Sequence, residues 1–153
     1  MSLHAATVSW TLDGGDFLGR RYSRVHRLRF GDGVELAGSA SPGVVPPPFS
    51  SHAAVDPEAA FTAALSACHM LWFLDHAAKA GFIVTAYEDH AEGELGPRAD
   101  GVLAMVRVIL RPDITFSAAR RPTLAEIKRL HDAAHRDCFI ANSVTSEVRV
   151  EAP

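Results

Sequence analysis

The stretch from Asp56 to Gly81 constrains this chain more than any other, because it reads as a helix that is apolar on nearly every side. Asp56 stands where a cap accepts orphan amides, Pro57 takes the first helical position, and Glu58 sets a negative charge against the positive end of the helix dipole. Gly81 marks the far end. Between them Ala60, Phe61, Leu65, Cys68, Leu71 and Trp72 leave no continuous polar face, so the rest of the chain has to be built around a buried central helix. A length of 153 residues with 48% hydrophobic content suits one compact domain, 1–153, with a core of that kind, and leaves no room for a second.

What surrounds the helix reads mostly as strand. Ala6 to Leu12 and Tyr22 to Phe30 alternate, and Val34 to Ala40 follows a Gly31-Asp32-Gly33 turn, which predicts an N-terminal antiparallel sheet or hairpin. Ser41 to Val55 contains Pro46-Pro47-Pro48 and Ser50-Ser51-His52; it cannot enter a sheet interior and is too apolar for a free linker, so it reads as an ordered loop near a site. Beyond Gly81, Phe82 to Leu95 and Val102 to Arg111 form an expected antiparallel pair around a turn from Gly96 to Gly101. Thr123-Leu124-Ala125-Glu126 is a capping box that opens a second helix, with Ile127, Leu130, Ala133 and Ala134 as its apolar stripe and an end near Cys138. Val144 to Val150 alternates as a closing strand. Strands, helix, strands, helix, strand is an α+β order.

Charge narrows the partners. The formal net charge is −3 with the signs interspersed, so there is no basic field for nucleic acid or anionic lipid, and neither nucleic acid nor membrane is an expected partner. The opening MSLHAATVSW has no basic segment followed by an apolar run, and the longest apolar stretch is broken by Asp75, His76 and Lys79, which points to a cytoplasmic location. Two cysteines are too few for a secreted disulfide scaffold; in a reducing cytosol a bond between them would be transient and catalytic rather than structural. The competing reading is two inert core thiols, since free cysteine is among the most buried residue types.

Cys68, in the middle of an apolar helix, is inert unless a cation lies nearby, because burial raises a thiol's pKa. Arg20, Arg21, Arg24, Arg27 and Arg29 offer candidates, and alternation places Tyr22, Arg24 and His26 on one strand face with Ser23, Val25 and Arg27 on the other. Glu58 is a carboxylate suited to orient a guanidinium through two parallel hydrogen bonds. The alternative is a solvated face carrying a weak surface ion pair. Cys138, at an element boundary after His135, Arg136 and Asp137, suits a resolving thiol that closes a disulfide on an oxidised partner. His131, His135 and Cys138 also form an H-x3-H-x2-C set that could hold zinc or another transition metal. Against it, Lys128, Arg129, His131, Asp132 and Arg136 read more simply as a polar outer face. His69 adjoins Cys68 but points about 100° away from it on a helix, which does not favour a Cys/His dyad. Trp72 and Phe73 read as core or pocket lining. No glycine-rich phosphate loop, HExxH or GxSxG is present.

The run DPEAAFTAALSACHM, with an acidic PE motif followed ten residues later by a cysteine in a small-residue helix, resembles the OsmC/Ohr family of osmotically inducible and organic hydroperoxide resistance proteins. The resemblance covers nearly the whole chain, through the glycine-ended helix, the strands after it, the second helix with its terminal cysteine and the tail CFIANSVTSEV. It implies Cys68 as peroxidatic cysteine and Cys138 as resolving cysteine, Glu58 as the carboxylate that holds an arginine, and Arg24 as that arginine, with Arg20 or Arg21 as substitutes. It further implies an organic hydroperoxide substrate, a dithiol reductant such as a lipoylated protein, no metal or flavin, and an intertwined homodimer with the site at its interface. Phe139 and His69 stand where the family commonly has proline and an aromatic, the mark of a divergent subfamily.

Geometry adds an independent constraint. The ten residues from Glu58 to Cys68 span about 15 Å of straight helix, more than one guanidinium bridges. Either the helix breaks after Glu58, or Glu58 and Arg24 act on Cys68 of a second subunit. The alternatives to a peroxidase are an OsmC-like protein that binds small apolar ligands or serves a structural role, and a metal protein built on His131, His135 and Cys138.

Overall fold

The computed structural model describes residues 1–31 and 33–151, which form two compact units, one from Met1 to Ala60 and one from Phe61 on. In the first, β1 (Ala6–Ser9), β2 (His26–Phe30) and β3 (Val34–Gly38) make an antiparallel meander. Ala6 lies opposite Phe30, and His26 opposite Gly38. The strand expected from Tyr22 is shorter because the Arg24 amide leaves the ladder and donates to the carbonyl of Phe49 at 2.8 Å. Tyr22, Arg24 and His26 nevertheless share the half-buried face, while Ser23, Val25 and Arg27 are exposed. Of the Gly31-Asp32-Gly33 turn, Asp32 lies outside the described residues, and the two glycines have φ of +50° and +148°. The proline-rich loop is ordered and returns to β3, where the Val55 amide donates to Ala37 and the Ser39 amide to Val55.

Helix α1 (Pro57–Lys79) is unbroken over 23 residues. The Asp56 carboxylate accepts the Ala59 amide at 2.7 Å, and Gly81, at φ +78°, turns the chain out of the helix. Its fully buried residues are Leu65, His69, Phe73 and Ala77, one stripe at four-residue spacing. Ala63, Ala64, Ala67 and Leu71 stay exposed, so burial within the single chain is one-sided, and an apolar face remains uncovered.

After α1 the chain departs from the expected hairpin. Phe82 to Leu95 is two strands, β4 (Val84–Asp89) and β5 (Glu92–Pro97), broken at His90 and Ala91. β5 pairs antiparallel with β6 (Leu103–Leu110) around the expected turn, while β4 pairs with β7 (Pro112–Phe116), a strand that the sequence pattern does not announce. Asp89 fixes the corner by accepting the Ser66 hydroxyl at 2.5 Å and the Arg111 amide at 2.6 Å. Helix α2 (Leu124–Asp137) opens with both bonds of the capping box, Glu126 amide to Thr123 and Thr123 amide to Glu126. A short 3-10 turn at Ala141–Ser143 leads to β8 (Glu147–Val150), which runs parallel to β6, with Arg107 opposite Glu147 and Leu110 opposite Val150.

Two apolar clusters hold this unit together. Phe73, Ala77, Phe82, Leu130 and Ala134 join α1 to α2, and Leu65, Val108 and Leu110 join α1 to the β5–β6–β8 sheet. Among the described residues no helix is long and apolar enough to cross a membrane.

Candidate functional site

Cys68 is half-buried on α1 and opens into a groove of about 680 Å³ lined by Ala64, Ala67, Leu71, Trp72, Phe139 and Ile140. Trp72 and Phe139 meet edge to face at 5.4 Å across it, so the thiol sits in an apolar cleft with aromatic walls. Asp75 and Lys79, paired with each other at 2.5 Å, form the polar end of the groove. Trp72 is thus pocket lining and Phe73 core, as the sequence indicates.

Cys138 caps the C-terminal end of α2 and is 1% exposed. The fold brings its thiol near enough to Cys68 for each to influence the other's protonation. Burial first, and then the neighbouring Cys68 thiol, push the Cys138 thiol up to about 11, so at neutral pH it holds its proton. The Ala141 amide donates to the Cys138 sulfur at 3.4 Å, which anchors it at the start of the 3-10 turn. Both thiols are free. This is the juxtaposition that a sulfenic acid needs to condense with a second thiol.

Arg24 and Glu58 belong to the N-terminal unit. The Arg24 guanidinium lies 3.9 Å over the Tyr22 ring and 5.8 Å from the centroid of Phe49, and it donates to the carbonyls of Tyr22 at 2.5 Å and Arg20 at 3.0 Å. Of the two substitutes, Arg21 is committed to Asp16 at 3.0 Å, and Arg20 takes a left-handed backbone position at φ +62°. Glu58 is half-buried in the first turn of α1. Since α1 does not break, the first of the two geometric solutions is closed: along one helix Glu58 and Cys68 stay about 15 Å apart.

The metal set does not assemble. His131 is buried and turned onto His69, with Nε2 of His69 and Nδ1 of His131 3.0 Å apart and the rings nearly parallel, while Cys138 faces Cys68. Among the described residues no three His, Cys, Asp or Glu side chains converge on a metal position. The reading of His131 as part of a polar outer face is corrected with it, for only 5% of this side chain is exposed. Burial, and then the neighbouring His131 and His135, lower His69 from 6.5 to about 4. Burial likewise lowers His131 to about 4, against an upward pull from Asp132 and Asp89. The sequence signal for this pair was position: His69 stands four residues from both Leu65 and Phe73, and His131 lies beside Leu130 and three residues before Ala134.

Comparison with known proteins follows the same lines. The family model described as OsmC-like protein matches residues 50–152. An OsmC-like protein of unknown function from Vibrio cholerae is 47% identical, with full coverage of both chains and a TM-score of 0.97. An organic hydroperoxide resistance protein from Elizabethkingia anophelis shares 19% identity over 99% of this chain and 94% of its own, at a TM-score of 0.71. The organic hydroperoxide resistance protein OhrB of Bacillus subtilis shares 20% over 97% and 98%, at 0.68. These last two show a common α+β fold. No curated protein matches the sequence.

Proposed function

Since the chain belongs to the OsmC family, we propose that it is a cysteine-based peroxidase that reduces organic hydroperoxides to alcohols in cytoplasmic oxidative-stress defence. The observation that carries this reading is the nearness of the Cys138 thiol to Cys68, which opens into an apolar groove. The Cys68 thiolate attacks the O–O bond of R–O–OH; the alkoxide leaves with a proton as the alcohol, and Cys68 becomes a sulfenic acid. The Cys138 sulfur then displaces that hydroxyl, which takes the Cys138 proton and departs as water, and a disulfide forms. A dithiol, such as a lipoylated protein, returns both cysteines to thiols by accepting the oxidation. No cofactor enters the cycle.

Arg24 is the cation that activates Cys68 and stabilises charge on the peroxide oxygen, with Glu58 as its orienting carboxylate. With α1 continuous, both groups come from a second copy of the chain, whose arrival also covers the exposed Ala64, Ala67 and Leu71 face. A monomer in sedimentation that keeps full peroxidase activity would exclude this arrangement.

The deciding experiment titrates reduced protein with cumene hydroperoxide and with hydrogen peroxide and counts thiols. The expected result is rapid loss of both thiols to an intramolecular disulfide, faster with the organic peroxide and abolished in Cys68→Ser. Thiols that survive excess peroxide exclude the reading and leave a second one, a non-catalytic binder of small apolar ligands, which the groove over Cys68 supports.

A further inference from the structure

About two turns of α1 beyond Cys68 lies a polar tie that the proposed chemistry does not use. His76 Nε2 stands 2.9 Å from Asp137 Oδ2, in a bond that crosses from α1 to the last residue of α2. Asp137 directly precedes Cys138, so this bond ends one peptide away from the second thiol. Four-residue spacing puts Cys68, Trp72 and His76 in one row along α1. Each of the three has its counterpart in the run Asp137-Cys138-Phe139. Cys138 lies near Cys68, the Phe139 ring meets Trp72 edge to face at 5.4 Å, and Asp137 bonds His76. Cys138 has an extended backbone, φ −67° and ψ 109°, so these successive side chains leave helical spacing and fan out along the row.

The Asp137 carboxylate does not need His76 for its charge. Arg136 donates to its two oxygens at 3.1 and 3.3 Å, and that pairing, with a smaller part from His76, holds the carboxyl below its usual range. A carboxylate ionised at neutral pH only accepts, so His76 is the donor, through Nε2–H. What His76 adds is a link between helices. Arg136 is exposed and sits on the same helix end, so it moves with Asp137. His76 belongs to α1, where its ring stacks on Trp72 at 5.8 Å. Downstream the chain is tied to itself, for Asn142 Nδ2 donates to the Arg136 carbonyl at 2.9 Å and the Ser143 hydroxyl to the Phe139 carbonyl at 2.7 Å. Those bonds stiffen residues 136–143 without fixing where they sit against α1. The Trp72 to Phe139 contact and the His76 to Asp137 bond fix that position, and the hydrogen bond is the directional one of the two.

We infer that His76 is a positioning residue for the disulfide step: through Asp137 it holds the end of α2 so that the Cys138 sulfur stays within reach of Cys68. The step it serves is the condensation of the Cys68 sulfenic acid with the Cys138 thiol. In it the S–O bond of Cys68 breaks, the S–S bond forms, and the hydroxyl leaves as water with the Cys138 proton. His76 does not line the groove over Cys68, so it acts on the closing of the disulfide and not on the attack that precedes it. Its part in peroxide turnover rests on the peroxidase reading above; its hold on the two thiols does not.

Oxidised glutathione separates the two, because it forms the disulfide of Cys68 and Cys138 by exchange, with release of two reduced glutathiones and no peroxide present. In glutathione buffers of graded ratio, the equilibrium between dithiol and disulfide in the folded protein gives the effective concentration of one thiol at the other. A loss of overall stability alone does not move that quantity. His76→Phe keeps a ring against Trp72 and removes the donor; the expected result is an effective concentration lowered about tenfold, the scale of a hydrogen bond to a charged group. His76→Gln, whose amide reaches the place of Nε2, stays within about threefold of the unaltered protein. Asp137→Ala falls as His76→Phe does, and the double variant falls no further than either. With one equivalent of cumene hydroperoxide, His76→Phe oxidises Cys68 at the unaltered rate but closes the disulfide about tenfold more slowly, so dimedone traps more sulfenic acid. An unmoved glutathione equilibrium in His76→Phe, equal losses in His76→Phe and His76→Gln, additive losses in the double variant, or no disulfide in the unaltered protein overturns the inference. Should His76→Phe fail to fold, Asp137→Ala is compared with His76→Gln on the same scale. Peroxide turnover with an unmoved equilibrium overturns the positioning role alone. An equilibrium that shifts as expected in a protein whose thiols resist peroxide supports the positioning role and overturns the peroxidase reading.

Discussion

Lowering the pH from 7 to 5 is expected to destabilise the fold through His69 and His131, and by an amount the structure fixes. Both imidazoles are buried between α1 and α2, at 1% and 5% exposure, and both are lowered from 6.5 to about 4. A lowered histidine pKa means that the unfolded chain binds the proton first. Stability is therefore complete above about pH 6.5, declines as pH falls toward about 4, and levels off below. At pH 5 the unfolded imidazoles are almost fully charged and the folded ones almost fully neutral, which costs about 2 kcal/mol for each group relative to pH 7. The loss is about 2 kcal/mol if one of the pair dominates and about 4 kcal/mol if both titrate independently, a roughly 30- to 1,000-fold shift of the unfolding equilibrium. Urea unfolding of the reduced protein at the two pH values measures this directly. The control is the double variant His69→Leu, His131→Leu, which removes both titrations while keeping an apolar contact with Phe73, and it isolates the pair from carboxylates that titrate in either protein. Parallel losses of stability in the two proteins between pH 7 and pH 5 would refute the reasoning.

Three further perturbations follow from named contacts. In Cys138→Ser the first chemical step is expected to survive, so one equivalent of peroxide leaves a sulfenic acid on Cys68 that dimedone traps; a disulfide-linked dimer as the sole product would contradict the assignment of Cys138. Thr123→Ala removes the side-chain half of the α2 capping box and is expected to cost about 1 kcal/mol, read as a melting temperature lowered by about 2–4 °C. Gly38→Ala places a methyl against the His26 ring and is expected to cost about 1–3 kcal/mol in chemical denaturation, with His26 displaced from its bond to the Arg24 carbonyl; an unchanged midpoint would mean that the ring moves freely.

The parts of the fold that the sequence displayed are those whose causes are local. Asp56, Pro57 and Gly81 bound α1, and Thr123 and Glu126 open α2, because a cap is decided within one turn of chain. The shared face of Tyr22, Arg24 and His26 was legible for the same reason, since side-chain alternation persists where ladder bonding does not. What escaped depends on partners far away in sequence. The break at His90 is held by Asp89 reaching Ser66 and Arg111, and β7 opens within Arg111-Pro112-Asp113 only one residue after β6, where a proline argues against a strand. The parallel pairing of β8 leaves no mark on either strand. In the sequence His131 reads as solvent-facing because imidazole is polar, yet an imidazole that shares a hydrogen bond with another one satisfies part of its polarity inside a core. Of the candidate site, the residue types were visible in the sequence, but the meeting of Cys68 with Cys138 needed both helices in place.

The parallel strand at the end of the chain also sets an order of events in time. A hairpin such as β5–β6 closes as soon as both arms exist, whereas β6 waits for β8, and the intervening α2 with Cys138 is made only after the sheet has begun. At a synthesis rate of roughly 5–20 residues per second the seventy residues from Cys68 to Cys138 take about 4–14 s, during which Cys68 has no second thiol beside it. On the proposed chemistry an oxidant that reaches the nascent helix in that window produces a sulfenic acid with no disulfide to retreat into, and further oxidation is irreversible. The newborn chain is therefore, on that chemistry, more vulnerable to peroxide than the finished one, and protection arrives with the end of α2 and its Cys138.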